Sequence, residues 1–108
     1  MNKYCYQIKD FFKANQILWR KHALTRMLER DISRNDVFAA VENGEPIEFY
    51  PDSKPFPGCL IFGYSNSRPL HVLSSVDMDN KIVYVITAYV PDPIYFEEDF
   101  KTRKGRQS

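Results

Sequence analysis

Two histidines, His22 and His71, are the only side chains in this sequence with an unperturbed pKa near neutrality. His22 lies in WRKHALTRMLERDIS, residues 19–33, where helical spacing puts His22, Arg26 and Glu29 on one face with Arg30 beside them. His71 lies in RPLHVL, while Thr87 and Tyr89 lie in ITAYVPDP, at the end of the most β-rich run. One imidazole can take a proton from a ribose 2′-hydroxyl and a second can protonate the leaving oxygen. Arginines can hold the developing phosphorane charge through paired hydrogen bonds. The combination suits acid–base cleavage of a phosphodiester, with His22 and His71 as acid and base. Arg26 would stabilise the phosphate and Thr87 or Tyr89 would position it. Arg30, Arg68 and Lys54 are further candidates for contacting RNA.

Each of these residues also has a purely structural reading. A strand histidine is commonly a hydrogen-bonded packing residue. The His22, Arg26, Glu29 and Arg30 spacing is that of a solvated, salt-bridged helix face. On that reading the chain is a non-catalytic protein- or nucleic-acid-binding module, with His22 and Arg26 bridged to Glu48 or another carboxylate. Other chemistries have less behind them. The sequence has no HExxH or similar metal-ligand motif and only four unclustered glycines, so neither a metal centre, a cofactor nor a phosphate-cradling loop is expected. Cys5 and Cys59 lack zinc-type spacing and sit in apolar segments, where they read as small core residues. Their spacing does not select a disulfide.

The elements that must position these groups follow from periodicity. Tyr4, Ile8, Phe11 and Phe12 form an amphipathic stripe over residues 4–14. A second helix is expected over residues 18–30, with Ala23, Leu24, Met27 and Leu28 inward and Trp19 at its edge. Ser33 is expected to cap a third helix, which Asn43-Gly44 would stop in a left-handed conformation. Residues 46–50, 59–64, 70–76 and 82–89 read as strands joined by hairpin-length turns, and residues 94–100 as a last short helix. On simple alternation Thr87 and Tyr89 share a face with Val83 and Val85. The expected architecture is α+β, with N-terminal helices packed on a four-stranded antiparallel sheet.

With 108 residues, 44% of them hydrophobic, the chain is sized for one domain over residues 1–100. The tail KTRKGRQS, residues 101–108, reads as a basic, flexible end. The net charge is only +1, so any attraction to phosphate must come from a local patch. No stretch has the length and hydrophobicity of a membrane span or leader, which makes a cytoplasmic location without membrane contact the expectation.

Four motifs occur in order: the helix motif HALTRMLERDIS, the turn GEPIEFYPDSKP, the strand RPLHV and the ending ITAYVPDP. Together they resemble the domain-of-unknown-function family 4258, from Trp19 to Phe100. That family in turn is similar to compact ribonuclease toxins of the RelE and BrnT kind. The resemblance implies the toxin component of a type II toxin–antitoxin module, acting on RNA, free or on the ribosome. Its partner would be a small DNA-binding antitoxin. His22, Arg26, Arg30, His71, Thr87 and Tyr89 fall on motif positions, whereas Asp31 stands at a helix C-cap where the pattern often has glycine.

Overall fold

The computed structural model describes residues 3–105. Three helices, α1 (Lys3–Lys13), α2 (Lys21–Glu29) and α3 (Arg34–Asn43), accompany five strands. These are β1 (Ile17–Trp19), β2 (Glu45–Tyr50), β3 (Gly58–Ser65), β4 (Arg68–Asp77) and β5 (Ile82–Tyr89). The sheet order is β1-β5-β4-β3-β2, with β1 parallel to β5 and the other pairs antiparallel. The α+β class holds, but the sheet is five-stranded and mixed where four antiparallel strands were expected.

The extra strand comes from the expected second helix. Asn15 turns the chain out of α1 at a φ of 58°, and Ile17 to Trp19 then pair with Val83 to Val85. The free edge of β5 offers main-chain partners to a β-prone Ile-Leu-Trp triplet, and these outweigh its weak helical periodicity. The helix therefore begins only at Lys21. Its buried side is Ala23 and Met27, whereas Leu28, expected inward, is 82% exposed.

The helix ends agree with the sequence to differing degrees. Ser33 caps α3: its hydroxyl accepts from the Asp36 amide at 3.0 Å, and Asp36 accepts from the Ser33 amide at 2.8 Å. Asp31, at φ 56°, is the left-handed residue after α2, the conformation that glycine adopts without cost. Asp31→Gly is therefore expected to raise stability by about 1 kcal/mol, read as a higher denaturation midpoint. An unchanged or lower midpoint would show that the aspartate side chain contributes more than its backbone strain costs. Gly44 does not make the left-handed stop expected of it; its φ is −93°. Glycine is required there for close approach, since a Cβ would lie 2.3 Å from the Ala40 carbonyl oxygen.

All three helices pack on one face of the sheet. The core joins Cys5, Ile8, Phe11 and Phe12 of α1 to Ala23, Met27, Val37, Ala40 and Val41, and to Cys59, Ile61, Leu70, Val72, Val76, Val83, Val85 and Ala88 of the strands. Cys5 and Cys59 are not free core thiols; they form a disulfide that ties α1 to β3. The β3–β4 hairpin turns on Asn66 and Ser67 with φ of 51° and 71°, the pair of positive angles a two-residue type I′ turn requires.

Alternation fails at one place that matters. Leu73 pairs with Thr87, but its neighbour Ser74 pairs with Val85, so Ile86 is an extra residue in β5. This β-bulge reverses the phase of the strand. Val83 and Val85 face the helices, whereas Thr87 and Tyr89 turn to the opposite face, beside Leu73 and His71. A second irregularity, at Ile47, puts Glu45, Glu48 and Tyr50 on that same helix-free face, opposite Phe62, Leu60 and Gly58.

No helix forms over residues 94–100. Asp92 and Asp99 accept hydrogen bonds from the amides that follow them and fold the segment into turns. The chain then runs back, with Phe96 bridged to Arg103. Lys101 to Gly105, the described part of the expected tail, lie outside any helix or strand, while Arg106 to Ser108 fall outside the described residues.

Candidate functional site

The face of the sheet without helices carries the polar network. His71 projects from β4 and is fully buried there, among the rings of Phe62, Tyr89 and Phe96. Its Nε2 lies 2.6 Å from the Phe100 carbonyl oxygen and its Nδ1 lies 3.3 Å from the Tyr89 hydroxyl. A carbonyl can only accept, so Nε2 carries the proton and Nδ1 accepts from Tyr89. Burial holds the imidazole pKa below its ordinary 6.5, against the opposing pull of the Phe100 carbonyl and the Glu48 charge. The ring is therefore neutral at pH 7, with a lone pair aimed at Tyr89. Burial likewise raises the Tyr89 phenol above its ordinary 10, which keeps its proton in place.

Glu48 and Arg103 form the second part of the network. Arg103 donates from Nε to one Glu48 carboxylate oxygen at 2.8 Å and from Nη2 to the other at 3.0 Å. The Tyr50 hydroxyl donates to the same carboxylate. Burial pushes the Glu48 pKa up, but the hydrogen bonds from Arg103 and Tyr50, with the Arg103 charge, bring it below 4.5 overall. The group is a paired carboxylate at neutral pH. Arg30 approaches from the end of α2, donating from Nη1 to Thr87 Oγ1 at 3.1 Å and to the Ala88 carbonyl at 2.9 Å.

The structure therefore brings together only some of the residues singled out in the sequence. His71, Tyr89, Thr87 and Arg30 meet on one face. His22 does not join them: it is exposed on α2, a helix whose buried residues enter the core on the other side of the sheet. Arg26 pairs with Glu29 at 3.4 Å on the exposed surface, not with Glu48. Arg68 donates to the Asp31 carbonyl at 2.8 Å and to Asp36 at 3.2 Å, tying the α2–α3 turn to the β3–β4 hairpin. Lys54 is exposed in the loop between β2 and β3.

Glu48, Tyr50 and Arg103 were not singled out as site residues. Arg103 lay in a stretch that composition marks as solvent-exposed, and the facing of Glu48 depends on the Ile47 irregularity. One signal was present in the sequence: a lone carboxylate between apolar Ile47 and Phe49, which must find a cation if its strand is packed.

Residues 19–90 match the family model described as Domain of unknown function (DUF4258). No curated protein and no solved structure matches the chain. The match spans two of the three helices, strands β2 to β5 and the last residue of β1, including His71, Thr87 and Tyr89, and the chain belongs to the DUF4258 family.

Proposed function

We propose that this chain is a metal-independent endoribonuclease, the toxin component of a type II toxin–antitoxin module with a RelE/BrnT-like fold. It would act in the cytoplasm beside a small DNA-binding antitoxin. The observation that carries the reading is the pair formed by a neutral, buried His71 and the half-buried Tyr89, with Arg30 two residues along the same strand at Thr87. Tyr89 is the reachable end of this pair. In the proposed reaction the ribose 2′-hydroxyl gives its proton to the Tyr89 oxygen as the phenol proton passes to His71 Nδ1. The 2′-oxygen attacks phosphorus, the bond to the 5′-oxygen breaks, and the proton returns along the same path to the leaving oxygen. The products are a 2′,3′-cyclic phosphate and a 5′-hydroxyl. Arg30 donates to the non-bridging oxygens as their charge grows. This scheme gives His22 no part in the proton transfers and replaces a two-histidine mechanism with a histidine–tyrosine one.

The purified chain is expected to cut RNA in the presence of EDTA, and its induced expression to arrest growth with loss of RNA integrity. Arg30→Ala should lower cleavage about a hundredfold. Cleavage abolished by the chelator, or unaffected by Arg30→Ala, would count against the assignment.

The binding-module reading has one specific observation in its favour. Both ring nitrogens of His71 already have partners, as they do in a histidine that serves only to hold a fold. Under that reading the chain binds RNA or protein without cutting, and His71→Gln leaves binding intact.

A further inference from the structure

Phe100 and Arg103 belong to a segment, Pro91 to Lys104, that leaves the sheet after β5 and crosses back over its helix-free face. It contains no helix or strand, only the single bridge between Phe96 and Arg103. Its attachments to the sheet are few, and most fall on the polar network. The Phe100 carbonyl holds His71 Nε2, and Arg103 holds Glu48. Phe96 is 3% exposed, with its ring edge-on to His71 at 4.5 Å and the Arg103 guanidinium 4.9 Å from its centroid. Lys101 pairs with Glu45 at 3.4 Å.

We propose that this segment is a releasable strap that closes the helix-free face over His71 and Glu48, and that its opening is what admits a substrate there. The inference rests on the functional reading above, because opening has a consequence only if this face meets a substrate. Two physical points support it. Segments held by a few side-chain anchors rather than by ladder hydrogen bonds open at lower cost than the sheet beneath them. The ionic anchor, the Arg103–Glu48 pair, is partly solvent-exposed on the arginine side, so water and salt compete for it. Opening uncovers the rings of Phe62, His71 and Tyr89, and a stacking nucleobase would cover them again.

The two histidines supply the test within one molecule. Diethyl pyrocarbonate modifies accessible neutral imidazoles, so in the full chain exposed His22 should react quickly and buried His71 slowly, as read by mass spectrometry. Arg103→Ala should accelerate His71 modification about tenfold while His22 is unchanged. Asp99→Ala provides a second route. It removes the acceptor of the Lys101 and Thr102 amides, which shapes the strap, without touching His71 or Glu48. A smaller acceleration is expected there. If His71 in both variants reacts only as fast as the whole chain unfolds in urea, there is no separate strap and the proposal is overturned. Cleavage of a single-stranded RNA by the same samples separates the two claims. His71 freed without any cleavage would keep the strap and remove the nuclease; cleavage by the wild type with His71 fully protected would do the reverse.

Discussion

Tyr89→Phe is expected to lower RNA cleavage by about a thousandfold while leaving the chain folded, because it deletes the one hydroxyl that connects buried His71 to the surface. The ring itself is retained, so its contact with His71, at a centroid distance of 5.3 Å, survives. The structural cost is the lost hydrogen bond to Nδ1, about 1 kcal/mol. His22→Ala should leave cleavage unchanged, since His22 shares no contact with the network. The pH dependence provides a check on the same pair. The folded pKa of His71 lies below 6.5, so on acidification from neutrality the unfolded chain takes up this proton before the folded chain does. Stability contributed by the neutral ring is fully present above pH 6.5 and is lost as the pH falls toward the folded value. Cleavage should fall in the same direction, because a protonated Nδ1 cannot accept. His71→Gln should remove that acid limb from the denaturation profile. Wild-type cleavage by Tyr89→Phe would end the histidine–tyrosine assignment whatever the fate of the nuclease reading.

Reduction of the Cys5–Cys59 disulfide should cost about 4 kcal/mol of stability, from the loop-closure entropy restored to the unfolded chain across a separation of 54 residues. For a domain of this size that corresponds to a melting temperature lower by roughly 15 to 30 °C. Both cysteines are fully buried, so the reduced thiols remain packed and no charge is introduced. The measurement is a thermal melt with and without a reductant able to reach the bond, with thiol titration to establish that it has been broken. Equal melting temperatures for the two forms would refute the expectation. The result bears on location as well. A cytoplasm ordinarily keeps thiols reduced, so the cytoplasmic setting proposed for a toxin would hold this chain in its less stable form. An oxidising compartment would hold it in the more stable one.

Much of the architecture is legible in the sequence because it depends on local rules. Helix α3 starts at Ser33 since a hydroxyl there can satisfy the amide of Asp36, and the Asn66-Ser67 hairpin follows from two residues tolerant of positive φ. The alternation of RPLHVL set His71 opposite Leu70 and Val72, and the core divides them in that way. Local rules were insufficient where a distant partner decided the outcome. Ile17 to Trp19 became a strand because β5 had a free edge, a fact absent from their own neighbourhood. Thr87 and Tyr89 changed faces because β5 carries one residue more than β4 across the bulge. A one-residue slip reverses every side chain beyond it.

By itself, then, the sequence determined the class of the fold, most element boundaries, the family, and the short list of groups with acid–base or phosphate-binding chemistry. Only the tertiary structure decided which of those groups lie together. It separated His22 from His71, joined His71 to Tyr89 through a register shift, and paired Glu48 with an arginine 55 residues away. The physical reason is the same in each case: residue type and spacing are local properties, whereas proton transfer and ion pairing act over about 3 Å, a distance that only packing and register can set.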